Sequence, residues 1–183
     1  MKNRKHIPVK SKKGLVIVNT GEGKGKTTSA IGTAIRALGW GQKVLLVQFM
    51  KGRWKTGELS FLKQFVPQIK IISADCPFSW ETKDKEKDIT VCKKVWNSAK
   101  KYILNGGYKL VILDEINVIT SLGYLTEQEI IETLIRRVPF IDVILTGRGA
   151  KKKLIDYANI VSDIKCVKHP FDSGIAAKKG IDF

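Results

Sequence analysis

A glycine- and lysine-rich segment, GEGKGKTT at positions 21–28, has the residue types that bind a polyphosphate. Glycines let backbone N–H groups converge on phosphate oxygens, and the start of a following helix adds partial positive charge. Lys26 adds a point charge, and the Thr27 hydroxyl is a ligand for Mg²⁺. Because an apolar strand pattern precedes the segment and a helical pattern follows it, we predict a loop that binds ATP through Gly21, Glu22, Gly23, Lys24, Gly25, Lys26, Thr27 and Thr28.

The spacing of this loop departs from the usual pattern G-x-x-x-x-G-K-[ST]. Only three residues separate Gly21 from Gly25, and Thr20 stands where the first glycine is expected. The loop is one residue short and carries an additional lysine, Lys24. A triphosphate can still be held, but its register can differ, so hydrolysis of the γ-phosphate does not follow from the motif.

A second candidate site is the end of an apolar strand, LVILDE at positions 110–115. In phosphate-loop proteins such acids hold Mg²⁺ or orient a nucleophile, and we expect this strand to lie directly beside the strand that precedes the loop. Acids often end strands, so the assignment depends on the loop. Successive strand residues point to opposite faces, so Asp114 and Glu115 should have different roles. The predicted metal ligands are Thr27, Asp114 and Glu115.

Two arginines and two aromatic residues are further candidates, each with a structural alternative. Arg148, between two glycines at a strand end, either reaches a phosphate or is a surface arginine in a turn. Arg36 follows the loop in a helix, where an arginine more than two turns away is usually solvated. Phe78 and Trp80 share one face if extended, although loop aromatics more often cover a core than contact a ligand.

Composition excludes several protein classes. Hydrophobic residues make up 43% of the 183-residue chain, too many for a disordered protein, and no apolar run approaches the ~18 residues of a membrane helix. The length predicts one domain, which we place at 14–183 after a flexible basic tail, 1–13. The net charge of +16 favours nucleic acid, anionic lipid or a phosphorylated small molecule as partner.

Cysteine usage and the N-terminus predict the compartment. Cys76, Cys92 and Cys166 are odd in number and widely spaced, which indicates neither a disulfide framework nor a zinc site and suits a reducing cytoplasm. The basic N-terminus has no apolar segment of roughly 7–15 residues behind it, so we expect no secretory signal.

Apolar strands and helical patterns alternate along the chain. Predicted strands lie at 14–20, 43–50, 69–73, 109–114, 141–146 and 159–164. Helices are predicted after the loop, at 84–104, after a capping box at Thr126 and Glu129, and at 154–158. Strands that are apolar throughout imply an α/β fold with a mostly parallel sheet of about six strands and helices on both faces. Segments 51–58 and 74–83 are predicted as irregular loops. The candidate residues lie at the carboxyl ends of the strands, where such sheets bind ligands.

A resemblance to a known family rests on six segments in one order, GEGKGKTT (21–28), QFMKG (48–52), FSWET (78–82), VILDE (111–115), TGRGA (146–150) and KHPFDSGIAAKKGIDF (168–183). From about Gly14 to Phe183 the chain closely resembles the ATP:corrinoid adenosyltransferases of the CobA/BtuR class. The resemblance implies a RecA-like fold, a homodimer and a role in cobalamin biosynthesis. The implied reaction transfers the 5′-deoxyadenosyl group of ATP to Co(I) of a corrinoid and releases triphosphate.

The resemblance also implies residue roles. The loop would cradle the triphosphate of an ATP bound in a reversed sense, Thr27 and Glu115 would serve Mg²⁺ (or Mn²⁺), and Phe78 and Trp80 would face the corrinoid. We take Lys26, Phe78 and Trp80 as the catalytic residues. Co(I) is itself a strong nucleophile, so the reaction needs no basic side chain.

Other functions are open on the residues alone. The main alternative is a RecA-like ATPase acting on nucleic acid, favoured by the positive charge. A small-molecule kinase and a nucleotide-dependent regulatory module share the same loop. For the adenosyltransferase we expect ATP, a corrinoid, a second copy of the chain and an acidic flavoprotein reductase as partners, with neither membrane nor nucleic acid.

Overall fold

The computed structural model describes residues 13–50, 56–74 and 84–183, which contain one six-stranded parallel sheet flanked by helices. In chain order the elements are β1 (Val16–Thr20), α1 (Lys26–Gly39), β2 (Val44–Gln48), α2 (Gly57–Leu62), β3 (Ile69–Ser73), α3 (Lys85–Asn105), β4 (Leu110–Asp114), α4 (Ile116–Ser121), α5 (Glu127–Ile135), β5 (Asp142–Thr146), α6 (Lys152–Tyr157) and β6 (Ile160–Asp163). Short 3-10 helices cover Lys63–Phe65 and Pro170–Ser173. The predicted α/β fold is confirmed.

The strand order, β3-β2-β4-β5-β1-β6, places β5 between the loop strand and the acidic strand. The expectation that β4 lies directly beside β1 is therefore wrong. Val143 of β5 pairs with Val16 of β1 on one side and with Val111 of β4 on the other. The loop and the acids still share the carboxyl edge of the sheet, but the last residue of β5, Thr146, stands between them.

Two apolar clusters cover the two faces of the sheet. In β2, Leu45 and Val47 belong to the cluster that includes residues of α3, whereas Val44 and Leu46 belong to the cluster that includes residues of α1. All four side chains are fully buried. This is the alternation of a strand covered on both faces, as the uniformly apolar sequence predicted.

The edge strands differ from the four central strands. Every residue of β6 is exposed, and in β3 only Ile69 is buried. The prediction of strands covered on both faces therefore holds for β1, β2, β4 and β5 and is wrong for the edges.

Helix termini follow local signals. The Thr126 hydroxyl accepts from the Glu129 N–H, and the Glu129 carboxylate accepts from the Thr126 N–H, so the predicted capping box is confirmed. The short helices α2 and α4 were not predicted, whereas α6, which has the same length, was predicted at 154–158. α2 begins inside the predicted loop 51–58. Within the described residues, no helix combines the length and apolarity needed to cross a bilayer.

Candidate active site

The phosphate loop connects β1 to α1 and holds Lys26 folded back onto its own backbone. Lys26 Nζ donates to the carbonyl oxygens of Gly21 at 2.7 Å and Gly23 at 2.6 Å. Burial lowers the pKa of this ammonium, and the positive charge of Arg148 lowers it further. A phosphate entering the loop would replace two neutral carbonyls with a charged partner for Lys26.

Two loop glycines are required by the chain that passes beside the loop. A Cβ at Gly21 would lie 2.5 Å from the Ile164 carbonyl oxygen, and one at Gly23 would lie 2.5 Å from the Lys165 carbonyl oxygen. The Gly23 N–H donates to the Ile164 carbonyl at 2.6 Å. Gly25 differs, because a Cβ there meets open space but its φ of +120° suits only glycine. The segment after β6 therefore packs against the short loop and restricts its conformation.

The other charged loop residues form ion pairs at the surface. Lys24 Nζ lies 2.8 Å from Asp182 Oδ1, and Glu22 Oε2 lies 3.3 Å from Arg148 Nη1. Pairs of this kind contribute little free energy, so a nucleotide can displace them. Arg148 is thus beside the loop, in reach of a bound phosphate. Arg36 is exposed in the last turn of α1, about 15 Å along the helix from its start, and is not brought to the loop.

Asp114 ends β4 as a buried carboxylate that two hydroxyls contact. Its Oδ1 accepts from Thr27 Oγ1 at 2.8 Å and from Thr146 Oγ1 at 2.7 Å. Burial raises the pKa of this carboxyl, and the two hydrogen bonds oppose that shift. The first turn of α1 and the acidic strand therefore meet at Asp114, across the intervening strand.

Glu115 leaves the strand in a left-handed conformation, with φ of 61°, and caps α4. Burial raises the pKa of its carboxyl to about 7, and the negative charge of Asp114 raises it as well, against Lys26 and Arg148. Asp114 is thus a buried, hydrogen-bonded strand residue, whereas Glu115 lies half-buried in a turn. Their environments differ because Glu115 lies outside the strand, so the alternation on which the prediction rested does not apply to it.

The donor set fits a magnesium ion that arrives with a nucleotide. Among the residues that the structure describes, no three His, Cys, Asp or Glu side chains gather as a metal site. Thr27, Asp114 and Glu115 supply hard oxygen donors, which Mg²⁺ prefers. Nucleotide-bound Mg²⁺ usually takes only one or two carboxylates and completes its shell with phosphates and water.

Two neighbours of the site, Thr146 and Asp182, were not predicted. A threonine as the last residue of a buried strand was the available signal for Thr146. Nothing local marks Asp182, because it reaches Lys24 from the opposite end of the chain. The predicted corrinoid-facing residues, Phe78 and Trp80, lie outside the described residues.

Known proteins match this chain over almost its whole length. A model of the family described as ATP:corrinoid adenosyltransferase BtuR/CobO/CobP matches residues 12–183. The corrinoid adenosyltransferase of Escherichia coli (strain K12) is 40% identical over 171 residues, which cover 93% of this chain and 86% of the relative. The corrinoid adenosyltransferase CobA of Salmonella typhimurium gives the same values. The corrinoid adenosyltransferase of Pseudomonas aeruginosa is 36% identical over 181 residues, covering 99% and 89%.

Proposed function

The chain belongs to the ATP:corrinoid adenosyltransferase family, and from this premise we propose how its own residues perform the reaction. The enzyme transfers the 5′-deoxyadenosyl group of ATP to Co(I) of a corrinoid and releases triphosphate. The observation that carries this function is the family match over residues 12–183, which includes the shortened loop and the acidic strand end. The comparisons give no support to a nucleic-acid-dependent ATPase.

The reaction is a substitution at C5′ of ATP. Co(I) supplies the electron pair of the new cobalt–carbon bond, and the electrons of the broken C5′–O bond leave with the triphosphate. The nucleophile needs no proton removed, so the protein contributes by positioning the reactants and by stabilising the charge on the leaving group.

Lys26 is the principal group for that stabilisation. Within the part of the chain that the structure describes, its ammonium donates to the carbonyls of Gly21 and Gly23. We propose that Lys26 exchanges these for triphosphate oxygens, and that Lys24 leaves Asp182 for the same anion. Both exchanges strengthen as negative charge grows on the leaving oxygen.

Thr27, Asp114 and Glu115 are the proposed ligands of Mg²⁺. When bound with ATP, the ion would neutralise part of the triphosphate charge. The two hydroxyls on Asp114 fix its side chain, and a cation beside Glu115 would favour its ionised form.

Phe78 and Trp80 are proposed to face the corrinoid, where they would keep a donor ligand away from the lower face of Co(II). Loss of that ligand makes reduction to Co(I) easier, since axial ligands tune the potential of a metal centre. The double variant Phe78→Ala, Trp80→Ala should lose most activity when the assay starts from Co(II). It should keep most activity with Co(I) reduced beforehand. Equal losses from both starting states would indicate a packing role instead.

We further propose that the enzyme works as a homodimer in the cytoplasm and accepts electrons from an acidic flavoprotein. The net charge of +16 supports an acidic donor. Val167, Phe171 and Ile181 expose most of their apolar surface, which a second copy of the chain would cover. Sedimentation measurements test the dimer.

The test of the function follows the adenosyl group. ATP labelled in the adenosine carbons is incubated with the protein, Mg²⁺ and chemically reduced cobalamin. The label should enter an adenosylated corrinoid, about 10²–10³-fold more slowly with Lys26→Ala, and it should not enter when the cobalamin is left unreduced. Label found only in ADP or AMP would contradict the proposal.

A further inference from the structure

Thr146 connects the two acidic residues of the site through one hydroxyl group. It is the last residue of β5 and is fully buried. Its Oγ1 donates to Asp114 Oδ1 at 2.7 Å and accepts the Glu115 N–H at 3.0 Å. The single hydroxyl proton goes to the carboxylate, so the lone pairs are available to the amide, and both contacts form together.

The first contact determines how Asp114 is held. Oδ1 of Asp114 accepts two hydroxyl protons, one from Thr27 and one from Thr146. If Thr27 turns its hydroxyl toward a metal ion, as proposed above, Thr146 and Gln48 remain as side-chain hydrogen-bond partners that orient this carboxylate, and Thr146 is the one of the two that also holds the Glu115 N–H.

The second contact determines where Glu115 points. Glu115 adopts φ of 61°, which side-chain-bearing residues seldom occupy. The Thr146 hydroxyl holds the N–H of this residue, and a Cβ at Gly147 would come within 2.9 Å of Glu115 Oε2. Asn117, also fully buried, donates to the Gly147 carbonyl at 3.2 Å. The end of β5 is therefore fitted closely to the turn that carries Glu115.

We propose that Thr146 is a positioning residue that sets the geometry of both carboxylates for a nucleotide-bound divalent cation. It acts through Asp114 and Glu115 and does not itself contact substrate. The proposal rests on the metal ligands assigned under the proposed function. It explains why the strand inserted between β1 and β4 ends in a buried hydroxyl rather than in another apolar side chain.

The test compares Thr146→Val, which keeps the shape and removes the hydroxyl, with Thr146→Ser, which keeps the hydroxyl. ATP binding is titrated by calorimetry at increasing Mn²⁺, without any corrinoid. We expect Thr146→Val to need about 10- to 100-fold more Mn²⁺ for half-maximal ATP binding, the usual effect of losing a partner of a metal ligand. ATP binding in EDTA should change little, and Thr146→Ser should restore most of the Mn²⁺ dependence.

A matched control is Thr133→Val in α5. Thr133 is equally buried and donates to the Glu129 carbonyl of its own helix at 2.9 Å. It should leave the Mn²⁺ dependence unchanged. The Mn²⁺ signal in electron paramagnetic resonance gives a second readout of the site, independent of stability.

Three outcomes would overturn the proposal. They are a wild-type Mn²⁺ dependence in Thr146→Val, an equal defect in Thr146→Ser, and ATP binding by the wild type that ignores Mn²⁺. If Thr146→Val fails to fold, Thr146→Ser against Thr146→Ala provides the same comparison. The titration contains no corrinoid. Its result therefore tests the role of Thr146 even if the protein fails to transfer an adenosyl group.

Discussion

Arg137, at the amino edge of the sheet, and the charged residues of the candidate site, at the carboxyl edge, have different kinds of partner. At the amino edge, Arg137 donates mainly to main-chain carbonyls that belong to the fold. Its guanidinium donates to the carbonyls of Gly14 at 2.6 Å, Leu134 at 2.7 Å and Ile141 at 3.2 Å, and to the Tyr157 hydroxyl at 3.3 Å. These bonds tie the start of β1 to the turn that leads into β5.

At the carboxyl edge, the charged groups have partners that a ligand can replace. Lys26 contacts two carbonyls of its own loop, and Lys24 and Arg148 form exposed ion pairs. Glu115 lies beside another carboxylate, which disfavours its charge. A bound polyphosphate would give the three cationic groups a stronger anionic partner, and its cation would favour the charged form of Glu115.

The amino edge also contains a cleft. A cleft of about 530 Å³, lined by Gly14, Arg137 and Tyr157 among others, lies at the amino edge. The guanidinium of Arg137, which lines this cleft, already donates to backbone carbonyl oxygens. Because the charged groups at the carboxyl edge have exchangeable partners and Arg137 does not, we predict that substitutions at the two edges fail in different ways.

The largest expected effect is loss of catalysis without loss of fold. Lys26→Ala should lower the rate of adenosyl transfer by about 10²–10³, because one preorganised charged donor to the leaving group is removed. The melting temperature should change little, since the hydrogen bonds of this side chain to described residues are both to its own loop. Initial rates and a thermal scan measure both. Activity within a few-fold of wild type would show that Lys26 is not the donor.

Glu115→Gln tests how much the ionised carboxylate of Glu115 destabilises the folded protein. The pKa of Glu115 is raised in the folded protein from 4.5 to about 7, so the native state binds more protons than the unfolded chain between these values. Wild-type stability from this group is therefore lost as pH rises through that window, on the order of 2–3 kcal/mol in total. Without metal or nucleotide, the variant should gain stability relative to wild type from pH 4.5 to 7. A stability difference that does not vary with pH would contradict the assignment.

Arg137→Met should lower stability and leave catalysis nearly unchanged, which is the reverse of the effect expected for Lys26→Ala. Three carbonyls lose a charged donor, which costs about 2 kcal/mol and lowers the melting temperature by roughly 4–8 °C for a chain of this size. The kcat/KM of the folded variant should stay within about twofold of wild type, because no substrate contact is removed. A fully folded Arg137→Met enzyme with impaired adenosyl transfer would show that Arg137 contributes to catalysis, contrary to this prediction.

The smallest effect is expected at the exposed pair of Lys24 and Asp182. Lys24→Ala should change the free energy of unfolding by less than about 1 kcal/mol. It should nevertheless weaken inhibition by triphosphate several-fold, since one charge leaves the loop. Lys153→Ala, which removes another exposed lysine 3.9 Å from Glu127, is the matched control. Equal inhibition of both variants would place Lys24 outside the triphosphate site.

Local sequence patterns predicted much of this molecule. Uniformly apolar strands gave the parallel sheet, and the capping box at Thr126 gave the start of α5, because both signals lie within a few residues. The positions of the loop between β1 and α1 and of the acidic end of β4 were predicted for the same reason. In each case the residue pattern is local, because neighbouring residues in the sequence form the feature.

The unpredicted features depend on contacts between distant segments. The position of β5 beside β4 was missed because a buried strand does not encode its neighbour. The bond from Thr146 to Asp114 follows from that order. The approach of Ile164 to Gly23 and of Asp182 to Lys24 needs the chain to return to the loop after β6. Only the folded topology shows these contacts.

Phosphorus NMR of the complete reaction tests the central claim most directly. The purified protein is incubated with ATP, Mg²⁺ and reduced cobalamin, and the phosphorus products are compared with the adenosylated corrinoid formed. We predict intact triphosphate in equal amount to the new cobalt–carbon bond, because the loop would hold the three phosphates as one leaving group. ADP with inorganic phosphate, and no adenosylated corrinoid, would contradict it.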